Sequence, residues 1–563
     1  MTRNRIFLLL AATLLFSLCC IGCAKKPGAV NTVTLTGDIP VRWQNGGKLS
    51  FLPEEPLEIP KLSEMVYTRP DVEKLIADIE ALTEKVPGCD DAEALLNDYY
   101  PIAVQFSNLR TMDALAYYHY SKDMSDSYFS DEYNYCEEQW TIEEEKENAL
   151  YAAFAVSPCR DELEKAYFGE GFFLDYDDFN AADESYFDLK QQENDLQSQY
   201  YDLASTADYT NSSDIEKNHE ASGNIFIELV KVRQKIAKAK GYENYMDYNY
   251  ACNFNRDYTT AQAQEYLACV KDLLAPLMKN SDIAGPYSYY SNWDRSMSME
   301  LLYAAAERMG GSILESFRFL CGYELYDVSS LPNKMSTGYT NYLADYEAPI
   351  IFIEPDSRNL LIALFHEFGH FTDWYYNYGI AGDYETGETY SQAMQYLAFA
   401  YADPFSDTER ATNLRATLSD LLVYSILQEG AYADFELQAY ALAPEELTVE
   451  KLDAIFGQCM EDYGIADVSG VRFKSNFWSV YRHFFIYPGY VISYSDSAVS
   501  AMQICRLEAE NPGAGVDAFC RLLERTHGKK FAAVLADAGL DSPFEKSTLE
   551  KTAAFLKDAF DMN

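Results

Sequence analysis

One short segment of this sequence has the residue types and spacing for metal-assisted hydrolysis: His366-Glu367-Phe-Gly-His370. Residues four apart share a helix face, so both imidazoles can converge on one ion. Glu367, next to the first His, can reach a water held near that ion without ligating it. Zinc lowers the pKa of such a water to about 7, and a carboxylate can then take its proton. With only six His in the chain, a random sequence of this composition would contain the pattern about 1% of the time. A catalytic zinc needs a third protein ligand and an open fourth position. No further His occurs before His483, which disfavours a three-His site. Asp373, Asp383, Glu385 and Glu388 are the carboxylates within reach, and Glu385 and Glu388 are the closest rivals. Asp373 is also placed to hydrogen-bond a ligand His. Further on, His483, Tyr487, Tyr490 and Tyr494 form a cluster of donors suited to the oxyanion that peptide hydrolysis creates.

These groups need elements to hold them. The apolar run from Leu360 predicts a buried helix carrying His366 and His370. Glu388 begins a second helical stretch running towards Pro404. Ala348-Pro-Ile-Ile-Phe-Ile-Glu354 reads as a short strand, with Pro349 suited to an edge position and Gly338, Tyr339 and Tyr342 available for a partner strand. Such a strand is either a core strand or an exposed edge on which an extended peptide pairs through its main chain. On the second reading Ile351, Phe352 and Ile353 are substrate-binding. Elsewhere helical spacing dominates: from Val72 to Leu82 behind Pro70, through 140–206, over 225–240 up to Gly241, and over 261–278 and 299–319. The polar run Thr210-Asn-Ser-Ser-Asp214 marks an internal boundary. The expected fold is mainly α, multi-helix and cleft-containing, with a small β-sheet beside the His366 helix.

Phe365-His-Glu-Phe-Gly-His370, followed by Glu388-Thr-Tyr-Ser-Gln392, resembles the oligoendopeptidase F and thimet-oligopeptidase family of zinc metallopeptidases. The likeness extends more loosely over about 220–500, through Lys240-Gly-Tyr-Glu-Asn-Tyr245, Glu347–Ile353, Ile426–Glu436 and His483 with Tyr490–Tyr494. It implies one Zn2+ per chain on His366, His370 and Glu388, with Glu367 as the catalytic base. It also implies His483, Tyr494 and Tyr490 at the scissile bond, Tyr487 against the substrate, and short peptides as substrates. Two alternatives stand beside this reading: a non-catalytic exported peptide-binding lipoprotein on the same fold, and a zinc hydrolase of a non-peptide amide.

The rest of the chain frames this chemistry. At 563 residues it accommodates two to four domains. A formal charge of −45 disfavours nucleic acid as a partner, since no broad surface could neutralise phosphates. Arg3 and Arg5 precede the apolar run Ile6–Leu18, which is shorter than the ~20 residues of a membrane span. The run leads to Cys20-Ile-Gly-Cys23, and the whole resembles a bacterial lipoprotein signal. That likeness implies lipidation of Cys23 and placement on the outer face of a bacterial membrane. Of the 12 Cys, those beyond this leader are scattered without a Cys-x-x-Cys pair, so no zinc ribbon is expected. The expected division is a signal peptide at 1–22, a Pro-containing tether at 23–60, a helical domain at 61–210 and a metallopeptidase domain at 211–563.

Overall fold

The computed structural model describes residues 33–42, 56–169, 171–176, 184–205, 212–280, 283, 297–354, 360–377, 383–403, 405–466, 474–526 and 529–562. The leader and Cys23 lie outside the described residues.

The chain is mainly helical. The helix Val72–Lys85 starts on Asp71, whose side chain accepts from the Lys74 amide, and buries Val72, Leu75, Ile79 and Leu82 on one face, as their spacing predicts. It packs with Ala92–Lys122 and Ser127–Ala155 into a group with its own apolar core, from Val72 to Tyr176. The helices Glu184–Ser205 and Ser212–Ala239 pack on each other, and Tyr200 and Phe226 enter the core that also holds Trp478 and Phe485. Leu62, Tyr67, Met112, Leu115 and Tyr118 of the N-terminal region also enter the core around the helix Leu360–Asn377.

The expected helix over 299–319 is two helices, Ser298–Met309 and Gly311–Gly322. Gly310 and Gly311 both take positive φ, at 68° and 51°, so two consecutive residues leave the right-handed helical region. Residues 33–42 do not hang free as a tether. Val33 and Leu35 pack on the core, and the Arg42 guanidinium lies 4.0 Å from the Tyr375 ring centroid and donates to the Tyr375 carbonyl.

Three strands form one sheet in the order β1-β3-β2: β1 is Tyr326–Asp327, β2 is Gly338–Leu343 and β3 is Ala348–Ile353. β3 is the central strand. It pairs antiparallel with β2, Thr340 opposite Ile351, and parallel with β1, Tyr326 opposite Ile351. Of the two readings of this segment, β3 is the core strand and not the exposed edge, which corrects Ile351, Phe352 and Ile353 as substrate-binding: all three are fully buried, and β1 and β2 pair on both sides of Ile351 and Phe352. Pro349 is tolerated because the two-residue β1 stops short of it. The sheet packs on the helix Leu360–Asn377, which lies beside Tyr384–Tyr401, itself against Ile492–Glu510. No described helix is long and apolar enough to cross a membrane.

Candidate metal centre

The helix Leu360–Asn377 is buried along nearly its whole length, which suits its unbroken apolar run. His366 and His370 stand on one face, ring centroids 4.9 Å apart. The neighbouring helix starts on Asp383, whose side chain accepts from the Thr386 amide at 2.7 Å. One turn later it presents Glu388. Gly369 permits the contact between the two helices. A Cβ there would meet the Ser391 Cα at 2.5 Å and the Tyr390 carbonyl oxygen at 2.6 Å.

His366, His370 and Glu388 each bring one potential ligand atom within 4.8 Å of the others, all buried. Glu388 Oε2 lies 3.7 Å from His366 Nε2 and 3.6 Å from His370 Nε2. These gaps are too long for hydrogen bonds. They are close to the ~3.4 Å that separates two ligand atoms on a tetrahedral ion bound at ~2.1 Å. His370 Nε2 is buried and has no hydrogen-bond partner. Burial drives the His366 imidazole well below its ordinary pKa and His370 down to about 3, so both are neutral, the form that ligates. Burial also raises Glu388 to about 7, opposed by hydrogen bonds from Tyr490 and Ser391. A buried carboxylate facing two neutral imidazoles lacks a countercharge, and a divalent cation fits that place.

Glu385 is engaged elsewhere. Its Oε1 accepts from Arg256 Nε at 2.6 Å, Tyr258 Oη at 2.8 Å and Ser493 Oγ at 2.9 Å. Asp373 is likewise committed, to Arg525 at 3.1 Å and Asn377 at 3.0 Å. It does not orient a ligand His. Gln395 contacts one instead, its amide Nε2 lying 3.0 Å from His366 Nδ1. As placed, that N–H donates to Nδ1; turned over, the amide would instead accept the Nδ1 proton through Oε1 and free the Nε2 lone pair towards Glu388.

Glu367 lies beneath β2, its Oε2 accepting from Thr340 Oγ1 at 2.9 Å. Burial raises it well above the ordinary carboxylate range. The Thr340 hydrogen bonds oppose the shift and the Glu388 charge adds to it. Across from it, the His483 ring sits 5.8 Å from that of Tyr490, 6.0 Å from Tyr494 and 6.1 Å from Tyr487. His483 Nε2 is buried and unpartnered, and burial, with the nearby Arg482 charge, lowers its pKa to about 3. Tyr490 Oη donates to Glu388 Oε1 at 2.9 Å, so this hydroxyl anchors the carboxylate. Tyr384, unmarked in the sequence, packs its ring 5.0 Å from Tyr490. Thr340 and Gln395 were also not anticipated. Gln395 could have been, because it follows Glu388 by seven residues, two turns along the same helix face.

Residues 62–178 match the Peptidase M3 N-terminal domain. PZ peptidase A with inhibitor 2 has the same fold at TM-score 0.76 and 21% identity, covering 89% of this chain and 99% of that one. A second structure, named as oligoendopeptidase F, matches at TM-score 0.76 and 21% identity over 90% of this chain and 99% of that one. A Bacillus anthracis protein named as oligoendopeptidase F matches at TM-score 0.73 and 20% identity over 90% and 99%. No curated protein matches the chain in sequence. Residues 62–178 are thus similar to the N-terminal domain of M3 peptidases, and the chain as a whole shares its fold with these structures. The match over 62–178 supports a peptidase.

Proposed function

We propose that this chain is a zinc-dependent oligopeptidase. The observation that carries the reading is the buried His366-His370-Glu388 triangle with Glu367 alongside it. His366, His370 and Glu388 would hold the ion. When bound, zinc supplies Lewis-acid activation of water and of the scissile carbonyl. Glu367 takes the proton that the attacking water loses and hands it to the departing amine. Thr340 fixes the carboxylate for both transfers. His483 and Tyr494 offer an N–H and an O–H to the developing oxyanion, while Tyr490 steadies Glu388. Peptide binding falls to β2, whose outer edge is not paired to another described strand although its side chains are as buried as those of β3. An extended peptide laid there passes Thr340 and so Glu367, with Tyr487 on the His483 side. The leader read in the sequence supports export and anchoring through lipids on Cys23.

The test is cleavage of a mixed set of short, internally quenched peptides by residues 24–563, beside Glu367→Gln. Cleavage that falls by about 100-fold or more in the variant, with one zinc per chain retained, and that a chelator abolishes, is the expected result. Cleavage that survives either treatment would overturn the mechanism.

A further inference from the structure

The short helix Arg482–Ile486 contributes His483 to the centre, and its first residue, Arg482, has no role in the chemistry above. Arg482 Nη2 donates to Tyr201 Oη at 2.8 Å, and the guanidinium carbon sits 5.2 Å from the Tyr201 ring centroid. Tyr201 is 41% exposed, so this end of the side chain meets water. Its Nε is buried and without an acceptor. No carboxylate among the described residues forms an ion pair with it. The groups it faces are His483 and the phenols Tyr201, Tyr487, Tyr117 and Tyr133, with the Glu137 carboxylate acting on Tyr487 and Tyr133. Tyr117 and Tyr133 pack with tilted rings, centroids 5.0 Å apart, and Tyr117 continues to Tyr339 of β2 at 4.9 Å. The phenols thus form a wall from the strand proposed to hold the peptide towards Arg482. In a chain with a formal charge of −45, an arginine without a carboxylate partner, adjacent in sequence to a group of the active centre, calls for an external anion.

We propose that Arg482 is the receptor for a substrate carboxylate, with Tyr201 and Tyr487 beside it as neutral donors, so that the preferred substrates are peptides carrying a negative charge close to the cleaved bond. This rests on the oligopeptidase reading. A planar guanidinium with free N–H groups matches a carboxylate in a fork geometry that no phenol supplies. An arginine side chain spans about 7 Å and an extended peptide advances about 3.4 Å per residue, so the charge falls within about two to four residues of the scissile bond. Either the C-terminal carboxylate of a short peptide or an Asp or Glu side chain supplies that chemistry.

The experiment compares matched peptides with one fixed cleavable bond. One pair differs as C-terminal acid and amide, and a second pair, amidated, differs as Glu and Gln at the same distance. We expect kcat/KM at least tenfold higher for the charged member of one pair, mostly through KM. A contrast in the acid–amide pair identifies the C-terminus as the source, and one in the Glu–Gln pair identifies the side chain. In Arg482→Met that ratio falls to near one, and Arg482→Lys restores part of it. Equal rates within both pairs in the native protein, or a loss in Arg482→Met that is uniform across charged and neutral peptides, would overturn the proposal. The affinities of the same peptides for zinc-loaded Glu367→Gln provide a second readout. If no peptide is cleaved but the charged ones still bind at least tenfold tighter, the oligopeptidase reading falls and the Arg482 receptor stands. Absence of any charge-dependent binding overturns the receptor as well.

Discussion

At the scale of residues, Glu385 and Glu388 are chemically identical and three positions apart, yet their surroundings give them opposite work. Glu385 is paired with Arg256 and two hydroxyls, whereas Glu388 faces the two imidazoles. Substituting each by Gln should separate these roles. Glu388→Gln is expected to weaken zinc binding by at least tenfold in a chelator competition, with modest loss of fold stability. Glu385→Gln should retain zinc and lower the melting temperature, because it leaves the Arg256 guanidinium buried without its counterion. The reverse pattern would assign the third ligand to Glu385. Gln395 shows the same dependence on setting: whichever atom of its uncharged amide faces Nδ1 sets which His366 nitrogen carries the proton.

At the scale of elements, the centre depends on how closely two helices approach. Gly369 is the point of contact between Leu360–Asn377 and Tyr384–Tyr401. Alanine there would gain about 1 kcal/mol of helix propensity. It would also drive a Cβ to 2.5 Å from the Ser391 Cα, a backbone atom that cannot rotate away. Overpacking of this kind costs about 1–3 kcal/mol, so the clash wins. Gly369→Ala should lower the melting temperature and weaken zinc binding together, since any relief moves Glu388 away from the imidazoles. Stability and zinc affinity equal to the parent's would show that the spacing is not set there. The sheet acts in the same way, holding Thr340 of β2 over Glu367.

At the scale of the whole molecule, ion pairs tie distant segments together. Glu193, on the helix Glu184–Ser205, binds Arg233 Nε at 2.7 Å. Arg233 also donates to the Phe484 carbonyl at 3.2 Å, next to His483. Burial alone would raise Glu193, but the Lys190 and Arg233 charges outweigh it and hold it down to about 2 from an ordinary 4.5. A carboxyl lowered in the folded state contributes stability that is complete above about 4.5 and is lost as pH falls towards about 2. The contribution is of order 3 kcal/mol. Denaturant melts from pH 7 to 2 should show the parent losing its advantage over Glu193→Gln in that window. Parallel curves would show that Glu193 titrates normally. The leader makes a prediction at this scale too. Full-length protein expressed in a bacterium should partition with membranes and carry acyl mass on Cys23, and Cys23→Ala should release it to the soluble fraction. Soluble parent protein without acyl mass would remove the anchor.

By itself the sequence determined the features that depend on local spacing. His366 and His370 had to share a helix face, the Val72–Lys85 helix had to bury its periodic stripe, and Ala348–Ile353 had to be extended. Each follows from backbone geometry acting over a few residues. Tertiary structure decided what depends on which segments meet. It gave Glu388 the imidazoles and Glu385 an arginine, and it drew Asp373 to Arg525 and Gln395 to His366. It placed β3 in the middle of its sheet, where no peptide can pair. A carboxylate or a strand carries no local mark of its distant partner. The partner is chosen by packing between residues far apart in the chain, and only the folded molecule brings them together.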